Sequence, residues 1–378
     1  MRVVQIIPGL ITESSGPTYC LLRLVESIRA HGCQPTIATL DLSGSIRLPE
    51  PSAVFPVLPG TSRLGVSPRM RRWLLAQART GGVDLIHSHG LWMMPNVYPG
   101  PISCRYRVPL VVTTHGALSS WAFRSGSLVK RPFWRLYQRR TLEQATVIHA
   151  TSDMEASDIR RHGLRSPIAV IPNGIDVPPI DRLGAKSATP TVGFIGRIHP
   201  VKGIDTLLSA WSRLELRFPD WQLAIAGPDQ HEYANQMKRL ASGLGLRKVR
   251  FLGEIVGARK AEFLRAISVS VLPTHSENFG VSVAESLASA TPAIVTRCAP
   301  WQGLADHGAG WWIEDHVDAL EAALSEAMQT SPEYLEELGK AGHRWMAREF
   351  AWPRVGDMVA QTYRWATGRG ARPPWIRT

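Results

Sequence analysis

Two glutamates and two cations in the later half of the chain have types and spacings suited to a phosphorylated, hydroxyl-bearing ligand. In Leu272-Pro273-Thr274-His275-Ser276-Glu277-Asn278-Phe279-Gly280 a strand is predicted to end and a short loop to carry Glu277; a helix then begins near Gly280 and holds Glu285 in its early turns. Amides at a helix start have no intrahelical acceptor, so they can donate to phosphate or hydroxyl oxygens brought to the end of the strand. A carboxylate accepts two hydroxyls at once, which is how sugars and riboses are held. The alternative is a plain loop acid followed by a solvated helical glutamate. In Gly193-Phe194-Ile195-Gly196-Arg197-Ile198-His199-Pro200-Val201-Lys202-Gly203, Arg197 and Lys202 follow a predicted strand in a glycine-punctuated turn. A guanidinium fork and an ammonium point charge placed there can converge on one diphosphate, whereas either cation alone reads as solvated surface.

Three histidines gather in the first half. His87 and His89 of His87-Ser88-His89-Gly90, and His115 of Thr113-Thr114-His115-Gly116, are predicted just past strand ends, where open α/β sheets place their ligands. Packing of a loop or sheet edge is the alternative for each. No Asp-x-Asp occurs in the chain, so a carboxylate pair holding a divalent ion is not signalled and no metal is expected. Nor is there a Gly-x-Gly-x-x-Gly, which argues against a nicotinamide or flavin cofactor.

Such residues need a scaffold of strand ends, and β-branched runs alternate with helical patterns throughout. Strands are predicted at 2–7, 35–40, 83–88, 109–114, 146–150 and 168–171, with an apolar helical stripe of Cys20, Leu21, Leu24, Val25 and Ile28 stopping at Gly32. The stretch Pro178 to Pro190 reads as a linker. Strands then recur at 191–196, 222–226, 249–252, 269–273 and 292–296, between helices at 202–217, 230–244, 257–267 and 280–290. Pro353 suits the first turn of a last helix carrying Val355, Met358, Val359, Thr362 and Tyr363. The expected architecture is α/β, with Rossmann-like domains at 1–180 and 181–350 and a helix in 351–378 returning to the first.

A chain of 378 residues is long enough for two cores, and 44% apolar with 20% charged residues excludes a disordered or collagenous chain. No uncharged apolar run approaches the roughly 18 residues of a membrane-spanning helix, and Met1 leads straight into a strand-like run rather than an export signal. Cys20, Cys33, Cys104 and Cys298 are far apart with no Cys-x-x-Cys, which fits a reducing cytoplasm. The net charge of +12 is uneven: residues 1–180 hold 20 Lys and Arg against 10 Asp and Glu, and the rest hold 23 against 21. An excess spread over alternating strands and helices suits an anionic membrane face or anionic acceptor better than a nucleic acid.

The run Glu277-Asn278-Phe279-Gly280-Val281-Ser282-Val283-Ala284-Glu285 resembles the Glu-seven residues-Glu motif of the retaining glycosyltransferases of family 4 (glycosyl transferases group 1). Gly193 to Gly203 is similar to that family's Gly-Arg and Lys-Gly element. Pro172-Asn173-Gly174-Ile175-Asp176, Ala224-Ile225-Ala226-Gly227-Pro228 and Phe251-Leu252-Gly253 follow family order, so the resemblance covers nearly all of the chain. It implies the GT-B fold, two Rossmann-like domains facing a cleft. It also implies transfer of a hexose-type sugar from a GDP- or UDP-linked donor, with retention, to a glycan or lipid-linked acceptor in surface polysaccharide (lipopolysaccharide or exopolysaccharide) biosynthesis. By the same resemblance Arg197 and Lys202, next to Gly196, bind the donor's phosphates and Glu285 holds its ribose. Glu277 contacts the transferred sugar with the amides of Asn278, Phe279 and Gly280, and His115 reaches that sugar from the first domain. His87 and His89 have a weaker match, on the acceptor side. Many relatives have two glycines after the first strand; here, in Thr12-Glu13-Ser14-Ser15-Gly16-Pro17, Ser15 replaces one and Gly16 remains for close approach to the donor.

The segment Arg124 to Arg140 interleaves cations and aromatics. If helical from Lys130 with Pro132 in its first turn, it aligns Arg131, Arg135 and Arg139 in one row and Phe133, Leu136 and Tyr137 in another. Arg69, Arg71, Arg72 and Arg79 around Trp73-Leu74-Leu75 make a second basic patch. Both suit peripheral contact with the anionic inner face of the cell membrane, the alternative being helices that pack their apolar row on the sheet. Two other functions stay open: a nucleotide-sugar epimerase of the same fold, and a non-enzymatic nucleotide-sugar-binding protein.

Overall fold

A computed structural model describes residues 1–10, 16–42, 48–124, 127–229 and 232–378. The chain forms two units: Met1–Gly174 with Trp352–Thr378, and Ile175–Ala351. The first division thus falls at 174 rather than 180. The Pro178 to Pro190 stretch is not a free linker, because the second unit fastens it. His343 Nε2 meets the Pro178 carbonyl at 2.9 Å, and Lys186 Nζ donates to the Ile267 carbonyl at 2.8 Å.

In unit 1 the strands are β1 (Arg2–Ile7), β2 (Gln34–Leu40), β3 (Ser52–Phe55), β4 (Leu85–His89), β5 (Leu110–Thr113), β6 (Val147–Ala150) and β7 (Ile168–Val170). They are ordered β7-β6-β5-β4-β1-β2-β3 and all parallel, with the short strand Ile376–Arg377 antiparallel on β7. In unit 2, β8 (Thr191–Ile195), β9 (Gln222–Ala226), β10 (Val249–Gly253), β11 (Val269–Leu272), β12 (Ala293–Thr296) and β13 (Gly310–Ile313) form a parallel sheet ordered β10-β9-β8-β11-β12-β13. Helices cover these sheets, so central strands are continuous buried runs such as the VVQII of β1.

Side chains alternate across a strand, and this divides the unit 1 sheet into two unlike faces. Val4, Ile6, Ile86, Leu110, Val112 and Ile148 fill an apolar core on one. The register Gln5↔His87, His89↔Thr113 and Thr113↔His149 lays a polar stripe on the other. That second face is covered by helix Gly16–Arg29, through Leu21 and Val25 against Ile7 and Ile37, and by helix Trp352–Ala366, which packs on Gly16–Arg29 and reaches the stripe with Tyr363.

The basic segment differs from expectation. Its helix runs from Ser127 to Phe133, so Pro132 lies inside it, and a π-helical turn, Trp134–Gln138, follows at once. Proline lacks the N–H for an i→i−4 bond and crowds the preceding turn, so the helix is irregular on this stretch. The expected apolar row is split: Phe133 is buried, beside Trp134, whereas Leu136 and Tyr137 are exposed.

Burial holds the stripe's rings neutral. It drives His87 and His89 well below the usual histidine range, lowers His149, and takes His115 down to about 4, a fall that the Glu155 charge opposes and His149 deepens. The unfolded chain therefore binds more protons than the folded one once pH drops below the ordinary histidine value. Stability is full above pH 6.5 and should fall on acidification by about 1.4 kcal/mol per pH unit for each ring that titrates only when unfolded. Thermal melts from about pH 7.5 down to 5 check this: the melting temperature should drop, less steeply in His87→Gln, and a flat profile contradicts the account.

Candidate functional site

The unit 2 sheet grows outward in both directions from β8 and β11, which makes their junction the topological switch point where open α/β sheets bind ligands. Arg197 and Lys202 leave the carboxyl end of β8, and Glu277 leaves that of β11. Gly196 donates to the Ala226 carbonyl at 3.0 Å. Beyond it, His199 accepts the Val201 amide and caps a 3₁₀ turn, Pro200–Lys202. Gly203 then turns left-handed at φ 63°, and a Cβ there would lie 2.0 Å from the Pro273 carbonyl oxygen. Only glycine allows that approach. The Val201 carbonyl accepts from the His275 amide at 2.8 Å and from Thr274 Oγ1 at 2.9 Å, so the two loops are stitched together. The expected helix from 202 accordingly starts at Ile204.

The stitching sets the Lys202 ammonium on the Glu277 carboxylate, whose other oxygen accepts the Asn278 amide at 3.0 Å. Burial pushes the Glu277 carboxyl up, but Lys202, the Asn278 amide and the nearby charge of Arg197 outweigh it and hold the group below the ordinary carboxylate range. Arg197, Lys202 and Glu277 thus form one electrostatic cluster. The Phe279 ring does not face a ligand: it is buried against Trp301 and Phe350, and its carbonyl accepts Trp301 Nε1, so it anchors the loop. Gly280, at φ 82°, caps helix Val281–Ala288.

Within that helix Glu285 pairs at 2.5 Å with Lys260 of helix Gly257–Ala266. Burial raises its carboxyl, Lys260 offsets part of this, and Asp176 adds to the rise. Each acid of the motif therefore has its own lysine. Lys260 was not singled out from sequence, and nothing in its local pattern signals the pairing.

In unit 1, His115 stands just past β5 at φ 48°, a backbone region that non-glycine residues avoid, and its Nε2 lies 3.3 Å from His89 Nδ1. Its loop is held by Glu155, which accepts from the Gly116 amide at 2.6 Å and from the Thr151 amide at 2.7 Å. Sequence reading missed Glu155 as well. His87 and His89 require a correction. They lie inside β4, which runs one residue further than predicted, and are 0% and 3% exposed, so neither faces an acceptor directly. Gly16 opens helix Gly16–Arg29, while Thr12 to Ser15 lie outside the described residues. Among the described residues no group of three or more His, Cys, Asp or Glu side chains is arranged to hold a metal ion.

Two family profiles tile the chain: glycosyltransferase family 4 over residues 14–178 and glycosyl transferases group 1 over residues 180–345. A D-inositol 3-phosphate glycosyltransferase of Corynebacterium jeikeium is 30% identical over 323 residues, covering 72% of this chain and 77% of that one. The chain belongs to the family 4, group 1 glycosyltransferases. A phosphatidyl-myo-inositol mannosyltransferase of Mycobacterium tuberculosis is 28% identical to this glycosyltransferase over 398 residues, covering 98% of this chain and 99% of that one. An Anabaena protein solved in complex with UDP and glucose superposes with a TM-score of 0.74 at 18% identity, covering 96% and 99% of the two chains. The glycosyltransferase has the GT-B fold.

Gly203→Ala places a methyl group against the Pro273 carbonyl in a backbone region costing roughly 1–3 kcal/mol. The expected result is a lower melting temperature together with a rise of the Glu277 carboxyl pKa, as Lys202 is pried off it. A carboxyl-labelled NMR titration reads the second effect, and an unchanged pKa in a folded variant contradicts the stitching.

Proposed function

We propose that the cluster at β8 and β11 binds the diphosphate of a nucleotide sugar, and that this glycosyltransferase passes the sugar to an acceptor hydroxyl with retention of anomeric configuration. The convergence of Arg197, Lys202 and Glu277 at the switch point carries the reading. As the glycosidic bond breaks, negative charge grows on the leaving phosphate, and the buried ammonium of Lys202 and the exposed guanidinium of Arg197 stabilise it mainly in the transition state. They supply the charge that a bound divalent ion provides elsewhere. Glu277, tied to Lys202 and an amide, holds a sugar hydroxyl and is not the nucleophile; Glu285 holds the ribose, and the leaving phosphate oxygen takes the acceptor's proton. His115 is unit 1's contribution to the reaction.

The acceptor we propose is borne on a membrane. Leu128, Val129 and Leu136 are 91%, 68% and 66% exposed on the helical stretch from Ser127 to Glu143, amid exposed Arg131 and Arg135. Apolar side chains projecting among cations suit the boundary of an anionic bilayer. No helix of the described residues is long and apolar enough to cross a membrane, so contact would be peripheral. The four free thiols fit the cytoplasmic side. The two relatives described above act, by name, on an inositol phosphate and on phosphatidyl-myo-inositol. That makes a phosphorylated polyol, free or lipid-linked, the first acceptor class to test, ahead of surface polysaccharide intermediates.

Arg197→Ala should cut transfer by about two orders of magnitude, the scale of losing one transition-state donor. The assay is sugar transfer from a panel of UDP- and GDP-sugars to inositol phosphates, and near-normal turnover removes Arg197 from the site. For the membrane reading, Leu128→Asp with Leu136→Asp should abolish cosedimentation with phosphatidylglycerol vesicles while leaving transfer to a soluble acceptor intact. Retained cosedimentation overturns it.

A further inference from the structure

The polar stripe of unit 1 is more than a set of satisfied buried groups: its hydrogen bonds can run in only one direction. At one end His149 Nε2 lies 2.8 Å from the Ile171 carbonyl oxygen, which can only accept, so Nε2 carries the proton. A neutral His149 then accepts at Nδ1 from Thr113 Oγ1, 2.9 Å away. Having spent its single proton, the threonine hydroxyl accepts from His87 Nε2 at 2.7 Å, which leaves His87 Nδ1 to accept from the Tyr363 hydroxyl at 2.6 Å. The phenol oxygen accepts Gln5 Nε2 at 3.0 Å. Gln5 therefore turns Oε1 to His89, whose Nε2 donates across 2.7 Å. His89 Nδ1 is left as an acceptor, and the group facing it is His115 Nε2.

Neutral rings are what the surroundings favour. His87 and His89 lie 4.0 Å apart between centroids and tilted by 37°, with His149 6.0 Å from His87 and His115 5.6 Å from His89, so a proton on any ring is opposed by the neighbouring rings. The nearby acid, Glu155, spends its oxygens on Thr114, Gly116 and Thr151, and the phenol of Tyr363 is itself kept protonated by burial. Reversing the chain would put two acceptors face to face at Thr113 or strip the Ile171 carbonyl of its bond.

We propose that this directional chain fixes His115 as the Nε2-protonated tautomer, with Nδ1 as the acceptor it offers to a substrate hydroxyl. Tyr363 and Gln5 act as positioning residues for it. Tyr363 touches no reacting atom: it sets His115 through Gln5 and His89. The proposal rests on the reading of His115 as part of the transfer chemistry, where the wrong tautomer would present a donor in place of an acceptor.

The test uses the full chain labelled with ¹⁵N-histidine and two-bond ¹H–¹⁵N correlation spectra, His115 being assigned by its loss in His115→Gln. The wild type should show His115 protonated at Nε2 and unprotonated at Nδ1. Tyr363→Phe removes the hydroxyl that both accepts from Gln5 and donates to His87. The Gln5 amide is then free to turn over, His115 should become a mixture of tautomers, and kcat should fall about tenfold, the scale seen for outer-shell partners, with the donor KM unchanged. A wild-type His115 protonated at Nδ1 overturns the proposal, and so does a single unchanged tautomer in folded Tyr363→Phe. Should that variant not fold, the wild-type spectrum decides alone. A tautomer that shifts while kcat does not leaves the chain of hydrogen bonds standing and removes His115 from the chemistry.

Discussion

The ion pair between Lys202 and Glu277 is where the sequence, the sheet and the chemistry of this glycosyltransferase meet. A carboxylate that is mostly out of water needs a partner, and the partner comes from a different strand 75 positions earlier in the chain. The pair therefore exists only while the loops after β8 and β11 touch. Gly203 removes the side chain that would hold them apart, and the Val201 carbonyl locks them with two hydrogen bonds. Arg197 adds its charge to the same point, so the residues that hold the local structure together are also those proposed to receive a diphosphate. Under the proposed function, an incoming diphosphate competes with Glu277 for Lys202, and Glu277 thereby becomes available to a hydroxyl.

Unit 1 solves a different problem. An interior lined by four imidazoles, an amide, a threonine hydroxyl and a phenol forfeits much of the apolar burial that a sheet face normally contributes. Each polar group there is repaid by a hydrogen bond, and each such bond constrains the next. The opposite face of the same strands is mainly apolar, with buried Ser88 satisfied by Asn96, so the core and the polar layer share a backbone while doing different work.

Much of the scaffold was legible because parallel strands buried on both faces read as short apolar runs; β8, β9, β11 and β12 fall within a residue or so of expectation. Ser52–Phe55 escaped notice, being four residues between prolines, as did Ile376–Arg377, which is only two. The site cluster could be read because its members sit in one glycine-marked turn and one motif. Lys260 and Glu155 were not, since each finds its partners through packing of separate elements and leaves no local pattern. His87 and His89 were read as strand-end ligands because open α/β sheets bind there; only the alternation Gln5, His87, His89 along neighbouring strands, with Tyr363 far along the chain, discloses their buried partners. Pro132 was misplaced for a similar reason: a π-helical turn has no compositional mark.

Residues 352–378 belong to the same unit as residues 1–174, while everything between them forms another. On a ribosome, the first 174 residues emerge without the helix that covers their polar face, and Gln5 and His87 must wait for Tyr363 until some 190 further residues have been synthesised. The intervening unit is complete and free to fold during that delay. Translation thus imposes an order of assembly in which the histidine layer is closed last, so a truncated nascent chain carries an intact Lys202–Glu277 pair but an unfinished first unit.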